Sequence, residues 1–117
     1  MARVQQPIFH LADPGEWASA VAGGRYETST RGRTLAQEGF IHASYAGQWP
    51  LVRRRFYADV TTPLLLLGLD PERLTAPVVV EVGDPVTGEQ FPHVYGPLNP
   101  DAVVSVERLD PPHDVAP

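Results

Sequence analysis

The sequence predicts a single α+β domain of about five or six strands, with two helices in its first half. Three observations carry that prediction. Apolar residues recur at helical spacing only up to Tyr57. From Leu64 onward, alternating and β-branched runs dominate. No period repeats and no linker divides residues 1–110, and 117 residues suit one domain able to bury roughly two-thirds of its unfolded surface.

The elements follow in order. Pro7–Leu11 reads as a strand, with Ile8 and His10 on one face and Phe9 and Leu11 on the other. Asp13 then caps a helix of about ten residues that has Pro14 at its first position, Glu16 in its first turn and Gly23-Gly24 as its stop. Residues 25–35 are polar and hold at most a short extended piece at Tyr26–Ser29. Thr34–Glu38 predicts one or two helical turns ending at Gly39. Phe40–Ser44 reads as a strand with Phe40, His42 and Ser44 on one face. Trp49, Val52, Phe56 and Tyr57 step by three and four, an amphipathic helix over Gln48–Tyr57 with Pro50 in its first turn.

In the second half, Leu64–Leu69 is apolar throughout except Gly68, which fits a strand buried on both faces. Asp70 caps a short turn through Leu74. Val78–Val82 is a β-branched strand, residues 83–89 are turn chemistry, and Phe91–Tyr95 is extended, with Pro92 demoting it to a sheet edge or to an irregular segment. Asn99-Pro100-Asp101 turns into a last strand, Val103–Leu109, and residues 111–117 read as a disordered C-terminal tail.

Composition excludes several function classes. With no cysteine there are no disulfides, thiol nucleophiles or zinc–thiolate sites. All nine cationic residues are arginine, which rules out Schiff-base chemistry and a phosphate-binding lysine loop. A net charge of −5 argues against general nucleic-acid binding. The N-terminal residues lack the apolar core of a secretory signal, and the longest apolar run, Leu64–Leu67, is far short of the roughly 20 residues of a membrane span. A cytoplasmic location without membrane association is the expectation. Oligomeric state is left open.

Three of the four histidines, His10, His42 and His93, fall inside extended segments beside aromatic or small residues. A neutral imidazole offers one donor and one acceptor, so it can orient a ribose hydroxyl, move a proton near neutrality, or bind a metal. The ordinary account of any one of them is a hydrogen-bonded, half-buried side chain. Three histidines can also build a zinc site with an open position, but these are tens of residues apart and no metal is favoured. Ser44 shares a strand face with His42 and either contacts a ligand or caps the following helix. Glu81 is the one acid inside an apolar strand, facing either solvent or a cleft. Arg25 and Arg31 flank a polar stretch and suit a phosphate or carboxylate, or simply solvent. Tyr95 belongs to a polar turn, residues 93–99, that can line a pocket. No G-x-S-x-G elbow supports a serine hydrolase.

The segments Ile8-Phe9-His10, Glu38-Gly39-Phe40-Ile41-His42-Ala43-Ser44, Arg55-Phe56-Tyr57 and Phe91-Pro92-His93-Val94-Tyr95-Gly96-Pro97-Leu98-Asn99 resemble a family of small bacterial proteins catalogued as domain of unknown function 952. The resemblance spans roughly residues 7–109. That family is distantly similar to the ADP-ribosyltransferase-like superfamily, which implies a split, strongly bent β-sheet and a cleft for NAD or ADP-ribose. It further implies His10 as a ribose binder on the first core strand and His42 with Ser44 beside the nicotinamide. His93 or Glu81 would fill a third position, without a clean match to the acid that such transferases use. A small-molecule nucleotide is thus the expected partner, bound for ADP-ribosyl or phosphoryl transfer. A non-catalytic metabolite- or protein-binding module and a histidine metal enzyme are the alternatives.

Overall fold

A computed structural model describes residues 6–114. Its elements run β1 (Ile8–Ala12), α1 (Pro14–Gly23), β2 (Thr28–Thr30), β3 (Arg33–Thr34), α2 (Leu35–Glu38), β4 (Ile41–His42), α3 (Trp49–Phe56), β5 (Leu64–Leu69), β6 (Val78–Val82), β7 (Gln90–Val94) and β8 (Val103–Leu109). The fold class is α+β, as the sequence predicts. The extra strands beyond the expected count are the three- and two-residue pieces β2 and β3, too short to leave a periodic signal.

Two three-stranded antiparallel sheets, ordered β1-β5-β8 and β4-β7-β6, form the body of the domain. A single bridge joins them. Phe9 and Ser44 exchange backbone hydrogen bonds of 2.7 and 2.8 Å, so the chain leaves one sheet just past His42 and touches the other. This is why the expected strand Phe40–Ser44 is paired with β7 over only two residues.

The alternation in β1 sorts its side chains into two cores. Ile8 and Ala12 enter a large cluster with Leu67, Leu69, Ile41, Val94 and Tyr26. Phe9 and Leu11 face a smaller one with Leu64, Leu66, Tyr57 and Leu109. Strand β5 is buried on both faces because the two clusters lie on opposite sides of it. Helix α1 begins as read: the Asp13 side chain accepts from the Glu16 backbone N–H at 3.0 Å, and Gly24 closes the helix at φ 81°. Trp17 and Ala20 press it onto the large core, while Trp49 and Val52 hold α3 against the small one. Helix α2 starts with a capping box between Thr34 and Gln37.

Two expectations are corrected. Strand β7 is central, not an edge, despite Pro92. An antiparallel residue points its N and its C=O to the same side, and the Pro92 carbonyl accepts from Ala43. The proline nitrogen therefore faces Ala43, just past the last paired residue of β4, so the missing N–H falls at the end of that ladder and the pairing with β6 is untouched. The segment after Asp110 is also not loose as far as it is described. His113 is fully buried, its Nδ1 accepting from Arg53 Nε at 3.0 Å and its Nε2 donating to the Thr62 carbonyl at 2.8 Å. The rest of that expected tail, residues 115–117, lies outside the described residues. No helix among the described residues is long and apolar enough to cross a membrane.

Candidate functional site

The site is built on one face of the β4-β7-β6 sheet. The register sets His42 opposite His93 and Glu81 opposite Phe91, so Phe91, His93 and Glu81 project from the same side. The His42 and His93 rings meet edge to face with centroids 5.4 Å apart. Phe40 stacks on His93 at 4.1 Å and 17°, and its other neighbours are His42 and Tyr95.

Each histidine leans on a carboxylate. His93 Nδ1 lies 2.8 Å from Glu81 Oε1, and the Tyr95 hydroxyl donates to the same oxygen. His42 Nε2 lies 3.4 Å from Glu38 Oε1, a longer and weaker contact, and Arg33 holds the other oxygen of Glu38. The bond from Tyr95, and then that from His93, keep Glu81 below the usual carboxylate range. Burial holds the His42 imidazole below its ordinary value, with Glu38 opposing the fall and His93 adding to it. His93 is 2% exposed, and its Nε2 is a buried nitrogen with no hydrogen-bond partner.

A cavity of about 220 Å³ adjoins this cluster, lined by His42, Ser44 and His93 from the sheets, Thr30 from β2, and Val52 and Phe56 from α3. A second cavity of about 200 Å³ continues along α3 toward Gln48, Arg55, Asp84 and Glu89. The two share Val52, Phe56, Gly83 and Phe91, and so form one cleft between α3 and the β6–β7 hairpin. Phe56 is 57% exposed there.

Of the residues singled out from the sequence, His42, His93, Ser44, Glu81 and Tyr95 come together here. Ser44 lines the cavity and caps no helix: α3 starts at Gln48, which makes no side-chain cap bond. His10 is near in space, but its ring nitrogens are bonded within the fold. Its Nδ1–H donates to the His42 carbonyl at 2.6 Å and its Nε2 accepts from the Tyr26 hydroxyl at 2.9 Å, which leaves neither nitrogen for a ligand. It fastens β1 to β4 and so positions His42 from behind. Burial lowers its pKa to about 4, so it is neutral near pH 7. Arg25 is exposed beside Glu27, in a groove along α1 that shares no residue with the cleft. Arg31 is fully engaged with Asp59 at 2.6 and 3.1 Å and with the Phe56 carbonyl, behind the cavity wall.

Sequence reasoning passed over Thr30, Gly83, Phe91 and the exposure of Phe56. The periodicity of α3 correctly groups Phe56 with Trp49 and Val52, but periodicity alone cannot distinguish a core stripe from a cleft wall. Among the described residues, no group of three or more histidines and acids is placed to hold a metal ion.

Fold and site together define a small α+β domain in which a carboxylate-backed histidine closes one end of a cleft between helix α3 and the β6–β7 hairpin. The chain belongs to the family described as protein of unknown function DUF952, whose model matches residues 11–106. It is similar to the protein CC0527 from Caulobacter crescentus. The crystal structure of that protein shares 30% identity and a TM-score of 0.76, over 90% of this chain and 87% of that one. Its solution structure gives 27% identity and a TM-score of 0.65, over 89% and 84%. No curated protein matches the chain.

Proposed function

We propose that this domain binds NAD or another ADP-ribose-containing ligand in the cleft between α3 and the β6–β7 hairpin, with the reactive end of the ligand at His42 and His93. One observation carries the reading: His93, a residue that lines the cavity, has a buried Nε2 that no protein group pairs. Buried polar atoms are nearly always paired, so such an orphan calls for a ligand or water group. The choice of ligand follows the resemblance to ADP-ribosyltransferase-like proteins that the sequence motifs imply, a fold-level analogy. The chemistry of the lining fits such a ligand. Imidazoles and Ser44 can bond ribose hydroxyls or a carboxamide, and Phe56 and Phe91 offer flat apolar surface to a base; the cation at the far end, Arg55, is ion-paired with Asp84 at 3.5 Å. Any transferase activity would arise at the histidine end. His10 serves this site as a brace and not as a ribose contact.

Isothermal titration of NAD and of ADP-ribose into the purified chain tests the reading. Saturable binding is expected, weakened at least tenfold by His93→Ala and by Phe56→Ala in proteins that keep wild-type circular dichroism. Absence of binding by either ligand, or unchanged affinity in both variants, overturns it.

A further inference from the structure

We propose that Glu81 and His93 form a proton-accepting dyad whose working atom is His93 Nε2, acting on a hydroxyl group or water that enters the cleft. For the ligand that brings that group, the inference rests on the reading above; the dyad itself stands on geometry. A carboxylate only accepts, so the 2.8 Å contact with Glu81 places the imidazole proton on Nδ1. In the neutral ring the lone pair then sits on Nε2, which has no partner. Tyr95 donates to the same Glu81 oxygen and fixes it, and Phe40 stacked at 4.1 Å fixes the plane of the ring. The rest of the surroundings are the half-buried imidazole of His42, with Glu38 and Arg33 behind it. An imidazole oriented by a carboxylate, with its other nitrogen unpaired in a side chain that lines a cavity, is the arrangement that general-base catalysis uses.

The step balances simply. The incoming O–H bond breaks, its proton forms an N–H bond at Nε2, and the electron pair stays on the oxygen, which becomes nucleophilic. The imidazolium is held beside the Glu81 carboxylate until the proton passes to a leaving group or to solvent. His93 is the catalytic residue in this scheme; Glu81 and Tyr95 are positioning residues.

Long-range ¹H–¹⁵N correlation of the histidine rings in the full chain tests the dyad without any ligand. The neutral His93 ring is expected to carry its proton on Nδ1, and Glu81→Gln to weaken or invert that preference. A His93 ring protonated at Nε2 in the wild type overturns the proposal whether or not NAD binds. Nicotinamide release from NAD is the second readout. His93→Gln is expected to lower kcat by about 100-fold or more with KM little changed, the usual scale for a lost general base. Glu81→Gln should lower kcat and move the acid limb of the pH profile. Wild-type protein that binds NAD without releasing nicotinamide, or a His93→Gln variant as fast as wild type, removes the catalytic role. A bare Nε2 in a protein that does not bind NAD refutes the choice of ligand and leaves the dyad standing.

Discussion

Replacing His10 by phenylalanine keeps a ring of similar shape edge-on to Tyr26, where the imidazole now lies at 5.2 Å, and removes both of its hydrogen bonds. Two groups lose a partner: the Tyr26 hydroxyl, on a residue 1% exposed, and the part-buried His42 carbonyl. Each such loss costs about 1–3 kcal/mol, so His10→Phe should destabilise the domain by about 2–6 kcal/mol near neutral pH. The melting temperature should fall by about 10 °C or more. The variant should also change how stability depends on pH. In the folded protein His10 titrates at about 4, whereas the unfolded imidazole takes its proton at the ordinary value of 6.5. Between those values the unfolded state binds the extra proton. Stability from this group is therefore complete above about pH 6.5 and is lost as pH falls toward 4, by about 3 kcal/mol in all. That loss is absent from His10→Phe, so the gap to wild type should narrow by the same amount. Urea unfolding followed by circular dichroism at several pH values reads both effects. A variant within about 0.5 kcal/mol of wild type near neutrality, or one with the wild-type pH slope, refutes the reasoning. A variant of normal stability that no longer binds NAD would return His10 to the ligand.

Two further outcomes follow from packing. A Cβ on Gly96 would lie 2.7 Å from the Ala76 Cβ, which has no rotamer to escape into, so Gly96→Ala should cost about 1–3 kcal/mol in urea unfolding, with partial rescue by Ala76→Gly. A double variant no better than Gly96→Ala would show the clash is not the cause. His113→Ala frees Arg53 and the Thr62 carbonyl and opens a fully buried site, and should cost about 2–4 kcal/mol. Wild-type stability in that variant would mean that the segment after Asp110 contributes nothing.

Much of the fold is legible locally. The Asp13 cap and Pro14, the Gly23-Gly24 stop, and the apolar run of β5 each act within a few residues, and side-chain direction follows the period of the element. For the same reason the alternation in β1 already separates Ile8 from Phe9. The places where reading fails depend on a neighbour. Pro92 argues against a central strand until its nitrogen is seen to fall at the end of the β4 ladder, opposite Ala43. Phe56 looks like core until α3 is seen to stand across a cleft from Phe91.

The site divides along the same line. Sequence alone determined that the chain is one α+β domain without thiol or lysine chemistry, that it carries three in-strand histidines and that Glu81 is the lone acid in an apolar strand. Only tertiary structure decided what each does. The antiparallel register of β7 against β4 and β6 sets His93 beside His42 and within hydrogen-bond reach of Glu81, while the fold spends both nitrogens of His10 on a carbonyl and a tyrosine. Residue type and spacing fix what an imidazole can do, but which nitrogen is left free depends on partners many residues away.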